Sequence, residues 1–430
     1  MIPSLRTHVA DRVAAGWPAD RRERWGFGLF LAQTVTIFGI ALSGILLSVG
    51  LLSSWWASRG TLVARLARSR ATVLLAPLGA YVALLGLSIA FSYDRLHSLG
   101  ALTEIIALSP LVLALVFVRG EARCRLVVDS IIAMGTLFAL YGLAETWWQG
   151  GVGLETRPRG PFSHYQTFAG VLLLCDLIVI ATMTYRRRER RWWHWLAAVT
   201  ISLALLLSLT RGAWVALIGG VLLLLAVRAP KAMLWMAPLL ALVLAVSPLA
   251  VIERASSIAD LRDLSNYDRL CMVYSGVRMI EERPLVGIGP DMVGELYPIY
   301  RHPTAPFLER PHLHNAFLQI GAERGLPALA AFLTLLAGSV GMALRGFRRE
   351  GGHRGPRADL WMATVLCVVA FSIAGMFEDN WNDTEVQRIL LFVLALPACL
   401  QLSPRPETGC RGEAASRRST LPAATPQEVS

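Results

Sequence analysis

The sequence has few of the charged residues that a water-exposed surface requires. Only 17% of its 430 residues are charged, whereas 55% are hydrophobic; a soluble domain has about 25% charged residues. The apolar residues form continuous runs rather than alternating patterns, which argues against a soluble protein and against a membrane β-barrel. The composition therefore indicates a membrane protein built of helices, because a helix satisfies its own backbone hydrogen bonds in lipid.

Lysine is nearly absent and cysteine is sparse. Lys231 is the only lysine, so arginine supplies the other 40 of the 41 basic residues and most of the formal net charge of +11. The six cysteines form no Cys-x-x-Cys pair and no metal-ligand spacing, so we expect neither a disulfide framework nor a zinc site. The first apolar run is too long for a signal peptide, so we expect no cleavable signal.

Arginine clusters between the apolar runs predict the orientation of the chain. Runs long enough to span a membrane lie at about 72–92, 98–118, 126–146, 164–184, 192–209, 212–227, 232–251, 313–344, 359–377 and 386–403. Strongly basic loops alternate with loops that hold few basic residues, and the positive-inside rule places the basic loops in the cytoplasm. An earlier run, 25–57, fits either one tilted helix or two short ones, and its basic flanks favour two. We expect about twelve spans with both termini in the cytoplasm.

The predicted topology divides the chain into five segments. They are a cytoplasmic N-terminal segment (1–24), nine spans (25–251), a periplasmic loop (252–311), three spans (312–403) and a disordered cytoplasmic tail (404–430). Within the long loop, Asp268 to Glu282 has the apolar spacing of a short helix that ends before Pro284.

Polar residues that can carry chemistry concentrate on the predicted outer face. His312, His314 and Asn315 close the long loop, and a histidine of near-neutral pKa can act as a general base. Histidines at the start of a helix in the membrane interface are an equally good interpretation. Arg211 interrupts an apolar stretch at an outer turn, where its planar guanidinium suits phosphate. Such an arginine can also reach lipid headgroups.

Two further outer segments are candidates. Residues 157–167 include Arg159 and His164 and lead into a span. Residues 377–386 form an acidic turn that contains Glu378 and Asp383 among four carboxylates. Such a turn could bind a cation or orient an arginine or histidine across the site. A solvated loop is the simpler interpretation for most of the individual residues.

Several segments, in this order, resemble the O-antigen ligase family of polytopic membrane glycosyltransferases. The resemblance covers at least residues 157–385, and its most specific signature is the His314–Asn315 pair followed by Gly325. Ala328 stands where the family often has glycine, threonine or tyrosine. The motifs that carry the resemblance are Leu209-Thr-Arg-Gly-Ala-Trp, Asp268-Arg, Glu282-Arg-Pro-Leu-Val-Gly-Ile-Gly-Pro, Pro311-His-Leu-His-Asn-Ala-Phe-Leu-Gln and Glu323-Arg-Gly-Leu-Pro.

The resemblance implies an all-α, GT-C-like membrane protein that transfers a glycan at the periplasmic face of the bacterial inner membrane. Family members take the glycan from a polyprenyl (undecaprenyl) diphosphate carrier to an acceptor hydroxyl, without a metal or another cofactor. In the ligases the acceptor is a sugar of the lipid A core, which places them in lipopolysaccharide biosynthesis. The implied partners are the lipid-linked donor, a glycan or lipid A-core acceptor and the bilayer, and no nucleic acid.

The matched motifs assign roles to particular residues. His314 would deprotonate or orient the acceptor hydroxyl, and Arg211 and Arg269 would hold the diphosphate. Arginines can stabilise the negative charge of a departing diphosphate where another enzyme uses a metal. We therefore predict His314, Arg211 and Arg269 as catalytic residues. Substrate-binding candidates are Arg159, His164, His312, Asn315, Arg301, Glu378 and Asp383.

Three alternatives to an O-antigen ligase stay open on the sequence. A surface or exopolysaccharide polymerase shares the chemistry and differs in its acceptor, and transfer to protein ranks after it. A transporter or flippase for lipid-linked glycans would need a polar path through the spans, for which the intramembrane carboxylates are Glu104, Asp176 and Glu323. An outward pocket lined by Arg211, Arg269 and His314 would favour the transferase.

Overall fold

The computed structural model describes residues 16–37, 40–58, 70–186 and 192–402, and within these ranges it is helical without β-strands. This confirms the predicted all-α class for the described residues. Short 3₁₀ segments of the described residues lie at Leu99–Leu102, Pro230–Trp235 and Gly352–Arg354. In chain order the α-helices are α1 (Arg21–Val35), α2 (Ile40–Ser58), α3 (Thr72–Ala90), α4 (Arg95–Ser98), α5 (Thr103–Ala107), α6 (Ser109–Phe117), α7 (Gly120–Trp148), α8 (Tyr165–Tyr185), α9 (Trp192–Leu207), α10 (Arg211–Arg228), α11 (Met236–Ala245), α12 (Leu249–Ser256), α13 (Leu264–Glu282), α14 (Met292–Tyr300), α15 (Ala316–Arg349), α16 (Ala358–Ala374) and α17 (Thr384–Gln401).

Seven helical segments of the described chain are long and apolar enough to cross a membrane. They are Thr72–Ala90, Arg95–Phe117, Gly120–Trp148, Tyr165–Tyr185, Arg211–Arg228, Ala316–Arg349 and Thr384–Gln401. Shorter apolar stretches lie at Gly44–Ser53, Trp192–Leu207, Pro230–Ala245 and Ala358–Ala374. This helix content is that of a multi-pass membrane protein. The total of twelve spans, the orientation and the five-segment division stay predictions, and the tail from residue 403 lies outside the described residues.

The apolar runs 25–57 and 232–251 are each divided in the structure. Residues 25–57 form α1 and α2, which pack against each other, in agreement with the two-helix interpretation. The predicted run 232–251 is not one helix, because α11 ends at Ala245 and α12 begins at Leu249. Pro248 lies between them. Proline lacks the N–H that would continue the helical ladder and disfavours helical backbone in the residue before it.

Helices α8, α16 and α17 pack against one another at the centre of the bundle. The apolar segment of α8 is 83% buried, and that of α17 is 89% buried. Helix α10 packs along α16, and α3 packs along α15. This core fixes the starts of α8, α10 and α15 relative to one another, and the candidate site lies at these starts.

Helix α15 is broken at Gly325. This glycine has a φ of 82° and a ψ of 166°, which is outside the helical region. A Cβ here would lie 2.4 Å from the Leu285 carbonyl oxygen, so only glycine admits the loop 284–289 into the break. The loop is tied to the break by backbone hydrogen bonds from Leu326 N to Pro284 O (2.8 Å), from Ile288 N to Ala322 O (2.9 Å) and from Gly289 N to Glu323 O (3.0 Å).

The charged residues beside the break form a buried ion-pair network. Arg324 is fully buried and pairs with Glu323 at 2.9 Å and with Glu104 at 2.5 Å. Asp176, in α8, accepts a hydrogen bond from Ser202 at 2.8 Å. Charged groups inside a membrane protein are expensive unless they are paired. These contacts give the three intramembrane carboxylates structural partners.

We expect Gly325→Ala to lower the thermal unfolding midpoint of the purified protein in detergent. The new Cβ would collide with the Leu285 carbonyl oxygen and would also strain a backbone of positive φ. Gly351→Ala is the matched control, because Gly351 has a φ of 91° and nothing within 4 Å of its Cβ position. The control should show only the left-handed strain, about 1–2 kcal/mol. Equal losses in the two variants would contradict the proposed docking of the loop into the break.

Candidate active site

A polar pocket of about 520 Å³ lies where α8, α10 and α13 begin, beside the residue that precedes α15. Five guanidinium groups and three carboxylates line it, together with two histidines. The excess of positive charge favours an anionic ligand, and guanidinium groups suit phosphate in particular. These residues are Arg157, Arg211, Arg254, Arg269 and Arg310, then Asp263, Asp268 and Glu378, then His164 and His314.

Helix N-termini add to the positive character of this pocket. The unpaired N–H groups of a helix N-terminus carry about half a positive charge and bind anions. The side chains of His164, Asp263 and Asn315 cap α8, α13 and α15. Thr210 forms no side-chain cap at the start of α10. The first turn of α10 therefore lines the pocket without a side-chain cap.

Arg211 begins α10 and is held rigidly in the pocket wall. Its Nη1 donates to the carbonyl oxygen and the hydroxyl of Ser257, each at 2.8 Å, and its Nη2 donates to Asp263 at 3.0 Å. Leu209, two residues earlier, has a φ of 53°. Left-handed backbone is unfavourable for leucine and persists where the surrounding structure requires it. The strained backbone at Leu209 is thus part of the structure that positions Arg211.

Arg254 and Arg269 line the same pocket as Arg211 and extend its cationic wall. Arg269 Nε donates to the Phe377 carbonyl oxygen at 3.1 Å, and Arg254 Nε donates to the Leu209 carbonyl oxygen at 3.3 Å. Burial and the nearby Arg211 lower the pKa of Arg269, and burial with the neighbouring arginines lowers that of Arg254 to about 10. A bound anion would relieve this crowding of positive charges.

His314 and Glu378 form a pair at the pocket edge. His314 Nδ1 lies 2.9 Å and 3.1 Å from the two oxygens of Glu378, while Nε2 has no hydrogen-bond partner within the described part of the chain. His314 has a φ of 46°, a second left-handed residue at this site. Ala316 N donates to Gly375 O at 2.8 Å and so ties the histidine segment to the acidic turn.

Electrostatics keep the Glu378 carboxylate ionised. Although burial opposes ionisation, hydrogen bonds from His312 and His314 lower the pKa of Glu378 to about 2. Burial likewise disfavours the charged form of His312, but the Glu378 carboxylate, 3.5 Å from its Nε2, raises the pKa of His312 overall. A carboxylate on Nδ1 of a histidine fixes the tautomer and stabilises the imidazolium. The arrangement therefore prepares His314 Nε2 to accept a proton.

The structure brings most of the predicted site residues together. Arg211, Arg269, His314, His164 and Glu378 line the one pocket, and His312 contacts Glu378 at its edge. The other four candidates do not line it, and the catalytic and substrate-binding roles of all ten stay predictions. Asn315 caps α15, Asp383 precedes α17, Arg301 follows α14, and the Arg159 backbone N–H donates to Glu145.

Three arginines of the pocket were not among the predicted site residues. Arg310 pairs with Asp268 at 2.5 Å, and Arg157 stacks over the Tyr165 ring at 4.4 Å. Arg157 begins the candidate segment 157–167, and Arg310 directly precedes the motif that begins at Pro311, so both could have been found from the sequence. Arg254 lies in α12 without any motif, and only the fold brings it beside Arg211.

The helices and the pocket define a multi-pass membrane protein with a cationic site beside a histidine–carboxylate pair. Residues 196–333 match the family model described as O-Antigen ligase. No curated protein matches the chain. This match supports a membrane protein of the O-antigen ligase family, as the motifs predicted. This family suggests a glycan transferase of the ligase or polymerase type. The matched residues include Arg211, Arg269 and His314, whereas Arg157 and Glu378 lie outside them.

Proposed function

We propose that the protein transfers a glycan from a polyprenyl diphosphate carrier to an acceptor hydroxyl at the periplasmic face of the inner membrane. The observation that carries the proposal is one pocket that joins five arginines to an oriented histidine–carboxylate pair. A lipid-linked diphosphate supplies the anion, and the acceptor hydroxyl supplies the proton. Ligation of O-antigen to the lipid A core is the leading reaction, and polymerisation by the same chemistry is second.

The cationic wall supports the departure of the diphosphate. The acceptor oxygen attacks the anomeric carbon of the donor sugar, the bond from that carbon to the diphosphate oxygen breaks, and polyprenyl diphosphate leaves. Negative charge grows on the leaving oxygens in the transition state. Preorganised guanidinium groups aimed at developing charge stabilise it strongly in a water-poor site. Arg211, Arg254 and Arg269, together with the first turn of α10, form this group of donors.

The pair formed by His314 and Glu378 accepts the proton of the acceptor hydroxyl. His314 Nε2 accepts it as the new glycosidic bond forms, and the Glu378 carboxylate on Nδ1 stabilises the resulting imidazolium. In this proposal Glu378 positions His314, which is one of the roles that the sequence left open for the acidic turn, rather than contacting the substrate. His314 and Glu378 come from different segments of the chain. The proposed base function therefore depends on the contact between these two segments.

Glu378→Gln should lower the turnover rate about 100-fold, within the range that general base catalysis contributes. The amide keeps the shape of the carboxylate but cannot stabilise an imidazolium. The KM for the lipid-linked donor should change little, because the donor is held by the arginines. Steady-state kinetics and an unchanged unfolding midpoint check this expectation. Glu295→Gln, at an exposed carboxylate of α14, is the control. A Glu378→Gln protein with normal turnover would remove the positioning role.

The decisive test of the proposed function is reconstitution of the purified protein with a lipid-linked glycan and candidate acceptors. Formation of glycosylated acceptor with release of polyprenyl diphosphate supports transfer. A product with one donor glycan per acceptor indicates ligation, whereas a ladder of increasing glycan length indicates polymerisation. Movement of the lipid-linked glycan across a vesicle membrane without any new glycosidic bond would overturn the transferase proposal in favour of transport.

A further inference from the structure

Two imidazoles and one carboxylate meet at the edge of the pocket in a pattern that diphosphate binding does not need. The ligand atoms of His312, His314 and Glu378 all lie within 4.8 Å of one another. His312 Nε2 is 3.5 Å and His314 Nδ1 is 2.9 Å from Glu378 Oε1. We propose that these three side chains form a binding site for Zn²⁺ or a similar transition-metal dication, and that the bound ion stops glycan transfer.

The spacing suits a tetrahedral ion. Zn²⁺ bonds to histidine nitrogen and carboxylate oxygen are about 2.0–2.1 Å long, which places neighbouring ligand atoms about 3.3 Å apart in a tetrahedron. The two separations from Glu378 Oε1 lie close to that value, and the ligand nitrogens of the two histidines lie within 4.8 Å of each other. Three protein ligands would leave one coordination position for water. Only small side-chain movements are therefore needed for the ion to enter.

The backbone holds these ligands in place. Leu313, between the two histidines, is buried, and its N–H donates to Gln319 Oε1 at 2.9 Å. Asn315 donates from its side chain to the Met376 carbonyl oxygen at 3.3 Å. The segment that carries the histidines is thereby attached to the turn that carries Glu378. A site held by its supporting shell binds an ion with less reorganisation than a flexible one.

The chemistry of the donors and their surroundings sets the selectivity. Imidazole suits Zn²⁺, Cu²⁺ and Ni²⁺, whereas Mg²⁺ and Ca²⁺ require more oxygen ligands than one carboxylate provides. The buried Asp379 carboxylate next to Glu378 favours a dication, whereas Arg269 and Arg310 on the pocket side oppose it. We therefore expect an ion that a chelator removes.

Metal binding and the base function of His314 exclude each other, a step that rests on the proposed function. A metal ion on Nδ1 of a neutral imidazole leaves the remaining proton on Nε2, so Nε2 becomes a donor and cannot accept a proton. The ion also takes the Glu378 oxygen that would stabilise the imidazolium. Occupancy therefore disables the base while the cationic wall remains intact.

Binding is tested first, without any activity measurement. The full-length untagged protein, stripped with EDTA in detergent, is titrated with Zn²⁺ in a calorimeter and with Co²⁺ by absorption spectroscopy. We expect about one Zn²⁺ per chain, a tetrahedral Co²⁺ spectrum and no binding of Mg²⁺. His312→Ala and Glu378→Gln should abolish binding, and His302→Ala, at a histidine that pairs with Thr304 instead, should not. Zn²⁺ binding that survives the first two substitutions, or no binding to the wild type, overturns the site.

Inhibition is tested second, in the reconstituted transfer reaction. Zn²⁺ should reduce transfer at the concentrations that fill the site, and EDTA should restore it. Full transfer by the zinc-loaded protein, or loss of transfer on chelation, would overturn the inhibitory role while the binding data stand. A protein that binds Zn²⁺ but transfers no glycan under any condition would count against the proposed function and leave the metal site supported.

Discussion

Glycan transfer should fall about 10²–10⁴-fold when His314 is replaced, because that is the usual contribution of a general base. The side chain hydrogen-bonds to Glu378 through Nδ1 and packs against the His312 ring, and its Nε2 has no hydrogen-bond partner among the described residues. Removing it therefore eliminates the proton acceptor, while His312 still contacts Glu378. The KM for the lipid-linked donor should stay close to that of the wild type, since the diphosphate is held by the arginines. Reconstituted transfer assays over a range of donor concentrations measure the two parameters separately.

The choice of substituent matters at this position. His314 has a φ of 46°, a conformation that asparagine tolerates better than alanine. His314→Asn removes the base with little added strain, and His314→Ala removes it with strain, so a loss common to the two variants reports on chemistry. The unfolding midpoint of each variant identifies any loss that comes from folding. His302→Ala is the control at another histidine of the same loop region. Substantial transfer by His314→Asn would show that this histidine is not the base.

The sequence predicted which residues line the pocket better than it predicted which of them contact one another. Arg211, Arg269 and His314 lie in separate motifs, and the family resemblance is enough to group them. The contact between His314 and Glu378 joins residues 64 positions apart. Nothing in a single sequence marks which of several carboxylates on a turn will face a given histidine, because that depends on how α15 and α16 pack.

Some helix boundaries have a local cause in the sequence, and others have a tertiary cause in the packing of distant segments. Pro248 is a local signal, and the break it marks between α11 and α12 could have been predicted from the proline alone. The break at Gly325 has a tertiary cause, because the loop 284–289 enters the gap from a distant part of the chain. The motifs around Gly287 and Gly325 are adjacent in space for this reason, although each looks like an ordinary turn or helix in the sequence.

Arg211→Lys should reduce transfer about 10²–10³-fold, the usual loss when one preorganised donor to a transition-state anion is removed. The planar guanidinium holds Ser257 and Asp263 with two different nitrogens and still presents its face to the pocket. A lysine ammonium is a single point charge on a flexible stem and cannot hold that geometry. Arg262→Lys is the control, because Arg262 is exposed and close to Asp263 in the chain.

Asp263→Asn separates the anion-binding role of Arg211 from a merely structural ion pair. This substitution weakens the ion pair with Arg211 but leaves the guanidinium in the pocket. If Arg211 acts on the diphosphate, Asp263→Asn should lose much less activity than Arg211→Lys, and donor binding should weaken chiefly in the arginine variant. If the ion pair is all that matters, the two losses should be alike. Near-normal transfer by Arg211→Lys would instead assign the diphosphate to Arg254 and Arg269, the remaining cations of the same wall.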